Sequence, residues 1–373
     1  MSVNYNLLGL IFASMHDSFV SDLTEHRTMG SIPFGGRYRL IDFPLSNFVN
    51  SGVSGVGVIT KANYGSLLDH LGSGRDWDLA RKKGGLHLLP PYSQNGGIYK
   101  GRLDALANIW SFVEHSKAQY VILSNCDIVT TIDFNPVLHQ HKETGADITL
   151  IYGKGYYDGE KNLSTTILQF NEENVVSDVL VAPRIKGECC QWLDMVIISK
   201  ELLRTIVFDS MSRNTFSFTK EILQNKECGY KIMGFEHKEL FMRIDSTESY
   251  FAANKRLLDA ETRKAIFKYK TPVYTKVGDN APVKYGLDSD IKNSLIADGC
   301  IIEGKVENSI IFRGVKVGKG AVIKDSIIMQ GTVIGNNCKL NEIITDKNVE
   351  IRDDKILNGS ETCPVYINKN GKI

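Results

Sequence analysis

Two stretches of this chain carry residue types and surroundings suited to chemistry at one end of a sheet. Asp127 closes the run Val121-Ile122-Leu123-Ser124-Asn125-Cys126, so its carboxylate stands at the carboxyl end of a strand. In open α/β sheets that is where a ligand, or a divalent cation such as Mg²⁺, is held. The alternative for such an aspartate is a cap on the loop or on the helix that follows. Ser14–Ser21 follows the first apolar run and carries His16 and Asp17. A loop that cradles phosphates needs glycines so that backbone amides can come close. This one has no glycine, and Asp17 adds negative charge. It reads as an ordinary surface loop, with anion binding by His16 as the alternative.

Other reactive types point away from chemistry. The seven cysteines are odd in number and form no CxxC pair, which fits reduced core thiols better than disulfides or zinc. Arg81-Lys82-Lys83 reads as a solvated basic loop. A net charge of +1 gives no bulk attraction to nucleic acid or anionic lipid. No apolar run approaches the ~20 residues of a membrane span. The start MSVNYNLLGLIFASMHD lacks the basic leader of a secretory signal. A cytoplasmic protein with no nucleic-acid or membrane partner is expected.

The elements that must position Asp127 and the Ser14–Ser21 loop read as strand–helix alternation. Residues 5–13, 56–60, 120–124 and 147–151 are predicted strands; 45–51, 64–71 and 136–144 are predicted helices. Apolar residues at 103, 106, 109, 110 and 113 predict one longer helix over 103–115. A loop rich in Pro, Gly, Ser and Asn precedes it, between Pro90 and Gly101. A further strand is predicted at 194–198 and a polar helix over about 247–267. This order implies a Rossmann-like α/β domain with a mostly parallel sheet covered on both faces. It brings residues 14–21 and 125–127 to one mouth.

From about Val277 the pattern changes. The apolar pairs Leu295-Ile296, Ile310-Ile311, Ile327-Ile328 and Ile343-Ile344 recur at spacings of 15, 17 and 16 residues, with seven glycines interspersed from Gly299 to Gly335. Glycine at that density excludes helix. The recurrence is the signature of a hexapeptide-repeat β-helix, whose thin coils bury their apolar sides only by stacking. Two domains are expected, over residues 1–270 and 271–373, as the chain length allows.

The run Ile32-Pro33-Phe34-Gly35-Gly36-Arg37-Tyr38-Arg39-Leu40-Ile41-Asp42-Phe43-Pro44-Leu45-Ser46-Asn47, preceded by Thr24-Glu25-His26-Arg27, resembles the bacterial ADP-glucose pyrophosphorylase (glucose-1-phosphate adenylyltransferase) family. The resemblance covers nearly the whole chain and is strongest to the GlgD-type subunit of glycogen biosynthesis. It implies a nucleotidyltransferase-like domain followed by a left-handed β-helix. The family's reaction transfers adenylyl from ATP to glucose 1-phosphate, which requires Mg²⁺ and positive side chains on the phosphates.

Against the family's motifs, several positions hold unsuited residues. The glycine-rich loop after strand one is Ser14-Met15-His16-Asp17 here, without the phosphate-contacting arginine. Arg27 is retained, but Met29 stands where a lysine is expected, and methionine brings no charge. The Gly-Thr-Ala-Asp-Ala motif reads Gly101-Arg102-Leu103-Asp104-Ala105. It keeps Gly101 and Asp104 while the bulkier Arg102 crowds a nucleotide or reaches a phosphate from a new direction. Asp127 matches the family's first Mg²⁺ aspartate. The second falls at Arg243 by ungapped counting, and Asp245 substitutes only if the loop shifts by two residues. Glu173 stands where a lysine would receive the sugar phosphate.

The resemblance therefore implies a catalytically degenerate subunit, with Asp127 and Arg27 as vestiges. Its implied partner is a catalytic paralogue in a mixed tetramer, a homo-oligomer being the alternative assembly, and its implied control is by a phosphorylated effector near Arg37 and Arg39. No cofactor is needed for that role. Mg²⁺ and ATP would be needed by the alternative, a weak adenylyltransferase using Asp127, Asp245 and Arg27. A non-enzymatic sugar-phosphate sensor is also open. Acyl transfer on the β-helix is disfavoured, because no histidine follows His237.

Overall fold

A computed structural model describes residues 4–91, 99–160 and 164–373; part of the loop between Pro90 and Gly101 lies outside them. Four strands, β1 (Asn4–Phe12), β2 (Val53–Ile59), β3 (Gly85–Leu89) and β4 (Tyr120–Asn125), pair in parallel in the order β4-β1-β2-β3. Alternate side chains of β1 serve two cores: Leu8, Leu10 and Phe12 enter one, Leu7 and Ile11 the other. Burial on both faces explains why β1 reads as a continuous apolar run.

Beyond β4 the sheet turns antiparallel. After the short β5 (Ile128–Thr130) come β6 (Ile148–Asp158), β7 (Thr166–Phe170), β8 (Val176–Val181) and the long β9 (Lys186–Ser199). β9 runs antiparallel to β4, β6 and β7, and β7 to β8. β10 (Ile232–Glu236) lies parallel on β6, while β11 (Phe241–Arg243) pairs with β5 in a separate ribbon. The parallel half thus matches the expected Rossmann-like core, and the added half is built from hairpins and one long strand. In β9 the register with β6 shifts between Trp192 and Met195, and Asp194 there adopts φ +56°. Such a bulge re-aims a side chain out of the ladder.

Apart from single turns such as Ser21–Thr24, the helices are α1 (Asp42–Asn50), α2 (Gly65–Leu71), α3 (Arg102–Asn108), α4 (Trp110–His115), α5 (Phe134–Glu143), α6 (Lys200–Ser212), α7 (Thr247–Arg256) and α8 (Ala260–Ile266). The single helix predicted over 103–115 is broken at Ile109. Asn108 Nδ2 donates to the Asp104 carbonyl at 2.8 Å, a side-chain bond to the backbone that competes with helix continuation. The helix predicted over 247–267 is likewise two. Asp259 caps α8 by accepting from Thr262 N at 2.8 Å, a helix-start signal in mid-pattern.

The C-terminal part forms three five-stranded parallel sheets, one strand per face per coil, beginning at Lys284, Asp290 and Leu295. This is the left-handed β-helix. One corner is a column of left-handed residues, Asn293, Asn308, Asp325 and Glu342, at φ +41° to +55°. Asn308 Oδ1 accepts from Asn293 Nδ2 at 2.8 Å, which supports a backbone conformation that short polar residues tolerate. One face of the β-helix does not stay separate. Ile310, Phe312, Ile327, Met329 and Ile344 share a core with Phe34, Leu257 and Ile266.

Candidate functional site

The mouth forms where sequence order places it. β1 and β4 end side by side, and His16 Nδ1 meets Asp127 Oδ2 at 2.8 Å. The rest of the site is a closed set of opposite charges. β11 brings Arg243 to Asp127 Oδ2 at 3.4 Å and to Asp194 Oδ2 at 2.8 Å, and the same guanidinium donates to the Trp192 carbonyl. Arg102, at the start of α3, donates to Asn125 Oδ1 at 3.1 Å and lies 3.6 Å from Asp194 Oδ1. Its guanidinium sits between the rings of Phe12 and Trp192, 5.1 and 5.5 Å from their centroids. Two carboxylates thus meet two guanidiniums and an imidazole, all but His16 buried.

The electrostatics follow from that pairing. Burial favours protonation of Asp127, but the charge and hydrogen bond of His16 and the charge of Arg243 outweigh it, holding the carboxyl below its ordinary range. Burial opposes protonation of His16, yet Asp127 raises its pKa overall. Arg243 is likewise raised by Asp194 and Asp127 against the cost of burial, whereas burial wins at Arg102 and lowers it. A buried pair that satisfies its own charges is a structural outcome.

This donor set does not suit Mg²⁺. A hard cation wants several oxygen ligands at short range. Asp127 shares one oxygen with an imidazole and a guanidinium, which leaves only Oδ1 without a protein partner among the described residues. Asp245 is not among its contacts and instead accepts from Ser164 Oγ at 2.9 Å. Among the described residues no cluster of three or more His, Cys, Asp or Glu is placed to hold a metal.

The phosphate-loop position is closed as well. Asp17 accepts from Met29 N at 2.8 Å, and Thr24 Oγ1 donates to the Asp17 carbonyl at 2.7 Å, tying the segment to itself. Burial raises the Asp17 carboxyl to about 6, against the opposing Met29 hydrogen bond. Gly101 has a packing reason: a Cβ there would stand 2.3 Å from the Phe216 carbonyl oxygen. Asp104 accepts from Lys100 N at 2.9 Å and from Asn108. Glu173 lies in an exposed turn, its N–H on Asn171 Oδ1. A crevice of about 490 Å³ remains beside the charge cluster, lined by His16, Lys100, Arg102, Ser164, Trp192 and Asp194 among others.

Arg27 is elsewhere. Its Nη2 grips both oxygens of Asp346 at 2.6 and 2.8 Å, both side chains nearly fully buried, and Tyr366 OH donates to the same carboxylate at 2.8 Å. It straps the first domain to the β-helix. Beside this strap an interdomain cleft of about 240 Å³ is lined by Arg37, Arg39, His70, Lys276, Arg313 and Lys347. Arg39 is tied to Ser66 and lowered to about 10 by burial, with Arg27 adding to the effect and Asp42 opposing it.

Sequence reasoning brought Asp127, Arg102, His16 and Arg243 into view but missed Asp194, Trp192, Lys276, Arg313 and Lys347. Asp194 had a signal: it is a charge inside the otherwise apolar run Trp192-Leu193-Asp194-Met195-Val196-Ile197. The three β-helix cations had none, because which coil face meets the first domain depends on the docking.

Comparison with known proteins now settles the family. A nucleotidyl transferase profile matches residues 18–163, starting just past His16 and Asp17, and a GlmU-like C-terminal hexapeptide profile matches residues 282–360. The "Glycogen biosynthesis protein GlgD" of Bacillus subtilis is 35% identical over 367 residues, 98% of this chain and 96% of the relative. The chain belongs to the GlgD/glucose-1-phosphate adenylyltransferase family. The GlgD of Geobacillus stearothermophilus is also 35% identical, over 86% of this chain and 84% of its own length. A glucose-1-phosphate adenylyltransferase of Clostridium perfringens is 32% identical over 88% and 84% respectively. Against this family background the charge cluster occupies the crevice in which the sheet topology places a ligand. Among the described residues no helix is long and apolar enough to cross a membrane.

Proposed function

We propose that this chain serves glycogen synthesis as a non-catalytic subunit that assembles with a catalytic glucose-1-phosphate adenylyltransferase paralogue and tunes it. The observation that carries the reading is the Asp127–Arg243–Asp194 pairing, supplemented by His16 and Arg102. Phosphoryl-type chemistry depends on charge aimed at the reacting phosphates. Here the side chains at the strand ends are spent on one another, and the loop before them is sealed by Asp17. Family members that carry the names GlgD and glucose-1-phosphate adenylyltransferase match this chain over most of its length, which supports a place beside such an enzyme. Mg²⁺ and ATP have no part in this role, which sits in the cytoplasm with seven free thiols.

The effector reading places a phosphorylated anion in the interdomain cleft, where Arg37, Arg39, Lys276, Arg313 and Lys347 converge without a carboxylate among the described lining residues. An anion there would touch both domains and so couple their relative placement to its own binding, as control of a partner requires. Calorimetry tests both parts. The chain alone should bind no MgATP at millimolar concentration, yet bind inorganic phosphate or a sugar phosphate, and Arg39→Gln should weaken the latter. Tight MgATP binding that is lost in Asp127→Ala would instead favour an adenylyltransferase in its own right.

A further inference from the structure

Lys347 differs from three of the other cations of the interdomain cleft, Arg37 alone sharing its want of a hydrogen-bond or ion-pair partner among the described residues. Arg39 is tied to Ser66, Lys276 Nζ donates to the Asp69 carbonyl at 2.7 Å, and Arg313 Nε donates to Asp298 at 3.0 Å. Lys347 Nζ has no hydrogen bond or ion pair with any described residue, though the side chain is half-buried and lines the cleft. The neighbouring carboxylate, Asp346, does not serve it: Arg27, Tyr366 and the Lys347 backbone N–H hold its two oxygens. The charged groups facing the amine are Arg39, Arg27, Lys369 and Asp346.

We propose that Lys347 is an acylation site, its amine taking the acyl group of a small acyl phosphate held by the cationic walls of the cleft. The inference rests on the cleft's affinity for phosphorylated anions proposed above. The amine is suited to attack because burial, and then Arg39 and Arg27, lower its pKa to about 7. A neutral amine is the nucleophilic form of lysine. Arg37, Arg39, Lys276 and Arg313 supply the phosphate contacts, and a cavity of about 240 Å³ suits a phosphate with a short acyl chain. The Lys347 Nζ lone pair attacks the acyl carbon and forms the C–N bond. The acyl C–O bond breaks, its electron pair leaves with inorganic phosphate, and the amine proton goes to that phosphate. The product is a neutral amide that no longer titrates. The side chain can then no longer take up a proton to meet an anion, so acylation would weaken binding of the next anion.

The test uses the full chain with acetyl phosphate at pH 7.5 and reads acetylation at each lysine by mass spectrometry over time. Lys264 and Lys372, both well exposed, are internal references, and Lys347→Arg confirms the site. At that pH an ordinary lysine is neutral in roughly one part per thousand, and an amine titrating near 7 mostly so. Lower basicity offsets part of that advantage, so Lys347 should react about 10-fold faster than the references. Millimolar inorganic phosphate and Arg37→Gln should both slow it. Equal rates at Lys347 and the references overturn the proposal. So does fast reaction that also occurs with an uncharged acetyl ester and ignores phosphate, which removes acyl phosphate as the reagent class. Calorimetric titration with inorganic phosphate reads the cleft independently. Phosphate binding without selective acylation overturns this inference and leaves the effector reading standing, whereas no binding removes both.

Discussion

Replacing Arg243 by alanine tests the charge cluster at its centre. The Arg243 side chain is 5% exposed, and its guanidinium touches Asp194 at 2.8 Å, Asp127 at 3.4 Å and the Trp192 carbonyl. Its removal leaves two buried carboxylates with only His16 and Arg102 to oppose them. Breaking a buried pair by deleting one partner costs about 3–5 kcal/mol. Unfolding entropy scales with size, and for a chain this long that corresponds to a fall in Tm of about 5 °C if it melts as one unit. The pH dependence carries the sign. In the native protein the Asp127 carboxyl lies below its ordinary value, so its stabilisation is present above the unfolded pKa and is lost as pH falls through the folded one. Without Arg243 the buried carboxyl rises, the penalty is largest near neutral pH, and protonation in mild acid relieves it. Thermal melts of wild type and Arg243→Ala from pH 7.5 to 5 should therefore converge as pH falls. A change under about 1 °C at pH 7.5, or a gap that does not depend on pH, would refute the pairing argument. The double variant Arg243→Met/Asp194→Asn should recover at least 1 kcal/mol or so of the loss, since coupled sites are not additive.

Three further outcomes follow from the same geometry. Arg27→Ala strands Asp346 between the domains and should cost about 3–5 kcal/mol in a denaturant melt, with Arg27→Lys rescuing only in part because an ammonium is more strongly hydrated than a guanidinium and costs more to bury. His237, with Nε2 on Thr130 Oγ1 at 2.8 Å, is lowered to about 4 by burial; its stabilisation is full above pH 6.5 and lost as pH falls toward 4, about 2–3 kcal/mol in all, and His237→Gln should flatten that part of the stability–pH profile. Sulfate keeps its charge between pH 6 and 8, so its affinity for the cleft, measured by calorimetry, should fall over that range as Lys347 loses its proton, and Lys347→Arg should remove most of that fall.

Much of the scaffold was legible because it rests on local chemistry. The apolar runs of β1 and β4, the Gly35-Gly36 turn at φ +58° and +85°, and the recurring isoleucine pairs of the β-helix all announce themselves within a few residues. Counting back from Tyr250 put Arg243 opposite Asp127, and the 3.4 Å contact is what the structure holds. What the sequence hid depends on distant segments. The breaks at Ile109 and at Leu257–Asp259 come from side chains that compete with or cap the backbone inside otherwise helical patterns. Asp194 reaches the site only through the β9 bulge. Arg27 reads as a catalytic vestige until Asp346, 319 residues away, is seen to claim it. Gly101 reads as nucleotide-binding until the Phe216 backbone is found against it.

The central claim is tested most directly by pyrophosphate release from ATP and glucose 1-phosphate with Mg²⁺, for this chain alone, for a catalytic paralogue alone and for the two co-purified. The account predicts silence from this chain alone and a rate or effector response in the complex that exceeds the paralogue's own. Turnover by this chain alone, abolished by Asp127→Ala, would contradict it.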